Sequence, residues 1–227
     1  MSLNLSVEEV RVLGVLIEKE LTTPDYYPMT LNALTNACNQ KSNRDPVVQF
    51  VDTDVLRAFD QAKRRDLMRL VEDSGGSRTN KYRHRLVELF RLTPAQTAIM
   101  CELMLRGAQT SGELRARAER MHRFSSLDEV EIALTELSSV EHFVAQTYGT
   151  PLVLCLPRQA GKKEPRYAHL LSGEPDLTQI SNDAPSMPKS SSVQEERILA
   201  LETEIASLRQ ELRGLQEEFM AFKRQFE

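Results

Sequence analysis

An internal repeat constrains the fold of this chain more than any other feature of its 227 residues. Three helix-forming segments, followed by two short extended segments joined by a turn, occur in residues 1–91 and again in residues 92–171. Individual positions of the two copies correspond as well. For example, Tyr82 near the end of the first copy matches Tyr167 in the second. The sequence therefore predicts that one structural unit has been duplicated.

Apolar spacing and capping residues indicate the helices of the first copy. Over residues 6–21 the spacing is helical, and Ser6 with Glu9 forms an S-x-x-E capping box. Thr30 is placed to cap a second, short helix, and a third helix is predicted from about Asp52. The extended runs LMRLVE and NKYRHRLVEL then flank SGGSRT, whose glycines suit a hairpin turn.

The second copy repeats this order. Helices are predicted over residues 93–106, 110–119 and 127–138. An extended region is predicted from His142 to Arg158, and the run RYAHLL would complete a second hairpin.

Three helices followed by a two-stranded hairpin describe a winged helix, in which the third helix enters the major groove of DNA. We therefore predict a mainly α fold with small β-hairpin wings, built from two tandem winged-helix domains, residues 1–91 and 92–171. The run NACNQKSNRDPVVQF at residues 36–50 and the preceding LGVLIEKELTTPDYYPMTLNAL resemble the YceH family of uncharacterised bacterial proteins. The resemblance covers residues 3–171. It implies a tandem winged-helix fold and no established activity.

The C-terminal part of the chain has a different composition. Residues 172–192 are rich in serine and proline and are predicted to be a flexible linker, whereas residues 193–227 carry an unbroken heptad seam. Ile at a and Leu at d in the first two heptads favour two strands, and opposite charges at paired g and e positions favour a parallel orientation. These features predict a homodimer, although the seam could also fold back on its own chain. The seam residues are Ile198, Leu201, Ile205, Leu208, Leu212, Leu215, Phe219, Phe222 and Phe226.

Composition bounds the class of protein. Apolar residues make up 41% of the chain, but no apolar run approaches the roughly 18 residues of a membrane span, and the N-terminus has no basic flank. We expect a cytoplasmic protein without a membrane partner. Cys38, Cys101 and Cys155 lie far apart, which predicts buried, reduced thiols rather than disulfides or a zinc site.

Residues for catalysis do not cluster along the sequence. The histidines, His84, His122, His142 and His169, lack metal-ligand spacing, and no glycine-rich phosphate loop is present. A Tyr and a His two positions apart on each hairpin could titrate together, but packing against the third helix explains them more simply. We expect neither an enzyme nor a cofactor.

Cations are concentrated in the first copy. Residues 41–91 contain 12 Lys and Arg against 8 Asp and Glu, a net charge of +4, while the whole chain carries −4. Arg and Lys neutralise phosphates, and Arg, Asn and Gln can pair with base edges. The candidate contacts with double-stranded DNA are Lys41, Asn43, Arg44, Arg57, Gln61, Arg64, Arg78, Lys81 and Arg83. For the loop NQKSNRDP, a structural turn remains an equal alternative, since Pro46 keeps Asp45 out of helical geometry.

The third helix of the second copy is acidic and would repel phosphate. It carries Asp128, Glu129, Glu131 and Glu136. The arginines before it could grip a DNA backbone, be ordinary surface charges, or contact the acidic helix of another copy of the chain; they are Arg115, Arg117, Arg120 and Arg123.

Three function classes follow from these surfaces. The first is a DNA-associated, regulator-like dimer, and the second is a protein–protein scaffold that uses winged helices without binding DNA. The third, an enzyme with a site between the two copies, has the least support. Salt-sensitive retention on DNA would separate the first two, because phosphate contacts weaken steeply with salt.

Overall fold

The computed structural model describes residues 3–71, 80–158, 161 and 164–175. Their helices are α1 (Val7–Thr22), α2 (Leu31–Cys38), α3 (Asp52–Arg64), α4 (Leu86–Phe90), α5 (Pro94–Arg106), α6 (Ser111–Ala118), α7 (Leu127–Leu137) and α8 (Phe143–Tyr148). Their strands are β1 (Met29–Thr30), β2 (Met68–Val71), β3 (Lys81–His84), β4 (Val153–Cys155) and β5 (Tyr167–His169). The predicted coiled-coil helix over 193–227 and most of the predicted linker lie outside the described residues. The predicted domain boundaries remain predictions.

The helix starts predicted from capping residues are confirmed in the first half. The side chain of Ser6 accepts a hydrogen bond from the amide of Glu9, and the Glu9 carboxylate accepts one from the amide of Ser6. Thr30 caps α2 by accepting from the amide of Ala33. These caps satisfy amides that have no partner within their own helix.

A small antiparallel sheet follows α3. Its strand order is β1–β3–β2, and the register pairs Leu70 with Tyr82 and Met29 with the same tyrosine. The ring of Tyr82 packs edge-on against Phe59 of α3, with 4.6 Å between centroids. For the first hairpin, the packing interpretation of its tyrosine is thus confirmed. The extended run predicted beyond His84 is wrong, since residues 86–90 form α4, which ends at Arg91 in the left-handed region.

The second half confirms three more helices, α5, α6 and α7, and a hairpin of β4 with β5 in which Cys155 pairs with Tyr167. The prediction of an extended segment from His142 is wrong over its first part, which is α8. The His142 ring accepts from the amide of Val144, and Gly149 ends the helix with φ +83°. Local capping therefore overrides the β-forming residues between them.

The two halves share one core through α1 and α5. Ten consecutive residues of each helix are buried, Glu9–Glu18 and Gln96–Leu105. Gly14 lies at the contact, where a Cβ atom would come within 3.0 Å of Leu105 Cδ2. Residues 1–175 accordingly form one compact unit. Within the described residues, no helix is both long and apolar enough to cross a bilayer.

The cysteine prediction is confirmed for two of three residues. Cys38 and Cys101 are buried, and burial raises the pKa of the Cys38 thiol to about 12. Cys155 is exposed at the end of β4, so the prediction that it is buried is wrong. Cys155 shares its face of β4 with the buried Val153, but it is the last residue of the strand and is left uncovered.

Candidate functional site

The outward face of α3 carries three of the candidate DNA contacts. The opposite side is buried through Val55, Ala58, Phe59 and Ala62. Arg57, Gln61 and Arg64 are all exposed, and their spacing of four and three residues aligns them along one face of the helix. In the described part of the chain, none of these three side chains has a hydrogen bond or an ion pair.

Two of the aspartates that interrupt this basic segment have structural roles at the start of α3. Asp54 accepts a hydrogen bond from the amide of Val51 at 3.1 Å. Asp52 accepts from the hydroxyl of Thr35 on α2 at 2.5 Å. Both carboxylates therefore stabilise the positive end of the helix dipole. Two acidic residues of α3 lie near the exposed arginines, because Asp54 precedes Arg57 by three residues and Asp60 precedes Arg64 by four.

The hairpin contributes cations of different accessibility. Arg83 of β3 donates to Glu88 Oε1 at 2.8 Å and so is partly neutralised. Lys81 is half-buried at the start of the same strand, and Arg78 lies outside the described residues. Arg69 of β2 is exposed and pairs in register with Arg83. The sequence reasoning missed Arg69, although the hairpin register would have placed it beside Arg83.

The loop between α2 and α3 turns one candidate residue outward and two inward. Lys41 is exposed, Asn43 is half-buried with a positive φ of 58°, and Arg44 is 6% exposed. The guanidinium of Arg44 donates to both carboxylate oxygens of Glu18, at 3.1 and 2.5 Å, and also to the carbonyl oxygen of Ala37. A guanidinium held in this way has no free face for phosphate. We therefore assign Arg44 to the interior.

Glu18 of α1 also binds a cation from the second half. Arg120, in the turn after α6, donates to Glu18 Oε1. Burial opposes ionisation of the Glu18 carboxyl, but the hydrogen bond and charge of Arg44, with the charge of Arg120, outweigh it and lower its pKa. The carboxylate therefore stays ionised and links the loop, α1 and the second half.

Two further contacts hold the same loop against α5. The amide of Asp45 donates to the carbonyl oxygen of Leu105 at 2.9 Å, and Arg106 donates to the side-chain oxygen of Asn43. Within the loop, the side-chain amide of Asn39 both donates to and accepts from the backbone of Phe50, at 2.7 Å each. These contacts support the structural-turn interpretation for Asn39, Asn43, Arg44 and Asp45, whereas Lys41 and Ser42 are exposed.

The histidines are held in separate environments. His84 Nε2 lies 2.7 Å from Glu20 Oε2, and its hydrogen bond lowers the pKa of that glutamate. Burial alone lowers the pKa of His169 to about 4, so this side chain is neutral near pH 7. No group of three or more His, Cys, Asp or Glu in the described ranges could hold a metal ion.

Helix α7 occupies the place in the second half that α3 occupies in the first, yet its exposed surface has the opposite charge. Asp128, Glu131 and Glu136 are exposed, and α7 contains no Lys or Arg. Ile132 lies among these carboxylates and is 60% exposed. Such a surface repels phosphate and can bind a basic, partly apolar partner.

Comparison with known proteins places this chain among uncharacterised relatives. A family model described as "Protein of unknown function, DUF480" matches residues 5–162. A UPF0502 protein of Geobacter sulfurreducens is 51% identical over the full length of both chains. A UPF0502 protein of Citrifermentans bemidjiense is 52% identical over 91% of this chain and 90% of its own, and one of Vibrio atlanticus is 49% identical over 93% and 94%.

Proposed function

Because the chain belongs to the DUF480 family, for which no function is known, we propose from its own geometry that it is a non-enzymatic, DNA-associated protein of regulator type. The membership confirms the family resemblance recognised in the sequence. In this proposal the two repeated units are winged helices, and residues 193–227 pair two chains into a cytoplasmic homodimer through a coiled coil.

The exposed face of α3 is the observation that carries the proposal. A winged helix places its third helix in the major groove, and α3 is the third helix of a unit that continues into an antiparallel hairpin. Arg57 and Arg64 stand one turn to either side of Gln61, all exposed and without partners in the described part of the chain. This arrangement suits phosphate contacts that flank a base contact.

The neighbouring residues extend the proposed surface unevenly. Lys41 and Arg69 are exposed and supplement α3 from the loop and from β2. Arg83 forms an ion pair with Glu88, and Arg44 forms a buried ion pair with Glu18. We therefore limit the proposed interface to α3 with these two exposed cations.

Two substitutions on α3 test the proposal. In the variant with Arg57→Ala and Arg64→Ala, retention on duplex DNA at low salt should fall, and the slope of log affinity against log salt should decrease by about 2. The matched control carries Lys63→Ala and Arg158→Ala, which also removes two exposed cations. Lys63 lies about 120° around α3 from Arg57, so this control should bind as the wild type does. Equal binding by both variants would contradict the assignment of α3.

The acidic surface of α7 favours a second candidate function, that of a protein–protein scaffold. Ile132 surrounded by carboxylates resembles the centre of a protein interface more than a DNA contact. If the wild type shows no DNA retention at low salt, the scaffold is the better proposal.

A further inference from the structure

An open groove runs along α6. One face of this helix, formed by Gly112, Arg115, Ala116 and Glu119, lies opposite the turn that leads through Arg123 into α7. The groove has a volume of about 820 Å³, and two of its lining residues, Gly112 and Ala116, have no long side chain. It can therefore accept several side chains from one face of another helix.

The four arginines of this region divide into two pairs. Arg117 forms an ion pair with Glu113, and Arg120 binds the buried Glu18. Arg115 and Arg123 line the groove, are exposed, and have no ion pair within the described residues. With Glu119, which shares the helix face, they give the groove a net charge of +1.

The exposed face of α7 is complementary to this groove. It carries Asp128, Glu131 and Glu136 without a cation, and so has a net charge of −3. Ile132 stands at its centre as an apolar side chain that nothing covers in the described part of the chain. Opposite charges around an apolar centre are the usual composition of a specific protein interface.

The groove and the acidic face share an edge. Leu127, the first residue of α7, lines the groove, and Asp128 follows it on the acidic face. Two complementary surfaces that meet at one edge can bind each other in a dimer whose two-fold axis passes through that edge. Each copy then places its own acidic face against the groove of the other. We propose that two copies of the chain associate in this way, with the acidic face of α7 of each copy in the α6 groove of the other.

Cysteine cross-linking between two different full-length variants tests the contact. Both carry Cys155→Ser, which removes the exposed native thiol; one adds Ala116→Cys in the groove and the other adds Ile132→Cys on α7. Because each variant has one surface cysteine, a disulfide between these positions joins two copies. The matched control mixes the Ile132→Cys variant with Thr53→Cys, which is also an exposed position but lies on α3. This control measures any proximity that pairing through residues 193–227 would cause.

If the proposed contact forms, the yield of the disulfide between positions 116 and 132 should exceed the yield in the control. Arg115→Glu with Arg123→Glu in the groove variant should lower the yield roughly tenfold, because carboxylates would then face carboxylates. Adding Asp128→Lys with Glu131→Lys to the α7 variant should restore it.

Three results would overturn the proposal. One is a yield equal to that of the control, and another is a reversed charge pair that fails to restore cross-linking. The third concerns the groove variant that carries Arg115→Glu and Arg123→Glu. If it loses DNA retention but keeps its cross-linking yield, these two arginines contact phosphates and not α7. Failure of the DNA proposal leaves this test unaffected, since cross-linking is measured without DNA.

Discussion

At the scale of single residues, the buried carboxylate of Glu18 is the group on which we expect stability to depend most. It is fully buried and bonds to Arg44 and Arg120, which are 26 and 102 positions away in sequence. Glu18→Gln would leave the buried Arg44 guanidinium without its counter-charge, and we expect the free energy of unfolding to fall by about 3 kcal/mol. Urea denaturation measures this, with the exposed Glu141→Gln as a control that should change it by less than about 0.5 kcal/mol. A loss no larger than in the control would contradict the role of Glu18.

The buried carboxyl of Glu102 on α5 should respond to pH in the opposite sense. Burial raises the pKa of Glu102, against a smaller effect of Arg106, whereas the pKa of Glu18 is lowered. A lowered pKa contributes stability that is present above pH about 4.3 and is lost as the pH falls through the folded-state value. A raised pKa contributes stability at low pH that is lost as the pH rises through the folded-state value.

Unfolding free energies between pH 3 and pH 8 check this difference. The deficit of Glu18→Gln should be constant above about pH 5 and shrink below about pH 4. Glu102→Gln should be no less stable than the wild type at pH 7, and its relative stability should decrease as the pH is lowered. Parallel pH profiles for the two variants would contradict the opposite shifts.

At the scale of elements, the crossing of α1 and α5 depends on the absence of a side chain at Gly14. A Cβ atom there would lie 3.0 Å from Leu105 Cδ2 and 3.2 Å from Met104 Cβ. Gly14→Val should therefore destabilise the protein by about 2 kcal/mol, despite the low helix propensity of glycine. Gly112→Ala on α6, where the nearest atom would be 3.9 Å away, should be neutral or stabilising by up to about 1 kcal/mol. Thermal denaturation of both variants gives the comparison, and equal effects would contradict it.

Local signals predicted most elements, while contacts between distant segments decided the rest. Helix starts at Ser6 and Thr30 could be predicted because a cap and its helix are neighbours in sequence. The interior position of Arg44 could not, because its partner on α1 lies far away in the chain and a charged loop residue is usually exposed. On α3 the exposed face was predictable, since amphipathic spacing alone separates Arg57 from the core.

At the scale of the whole molecule, oligomeric state is the property to measure. If residues 193–227 form the coiled coil, the full chain should be a dimer at micromolar concentration, and a chain ending at residue 190 should lose that pairing. Light scattering of both chains provides their masses. A monomeric full chain would contradict both the coiled coil and the α6 groove contact. Dimers of both chains would show a contact within residues 1–190, as the α6 groove proposal requires.

Sequence periodicity did not indicate how the two copies join. Each copy has its own pattern of helices and hairpin, which suggests two independent cores. In the structure, however, α1 and α5 are buried all round, with Glu18 and Glu102 among the residues that face inward. The apolar pattern of a helix predicts which side faces the core. When charged residues are also buried, this pattern predicts only part of the buried surface.

The shared helix pair also bears on how such a chain can evolve. When two repeated units fold as independent domains, either one can be lost or transferred to another gene. Here the loss of one half would expose the central helix of the other, so we expect the two halves to be retained together. Outward residues on α3 and α7 are not bound by this requirement. Substitutions there can therefore change the charge of either surface without disturbing the shared core, as the arginines of α3 and the carboxylates of α7 illustrate.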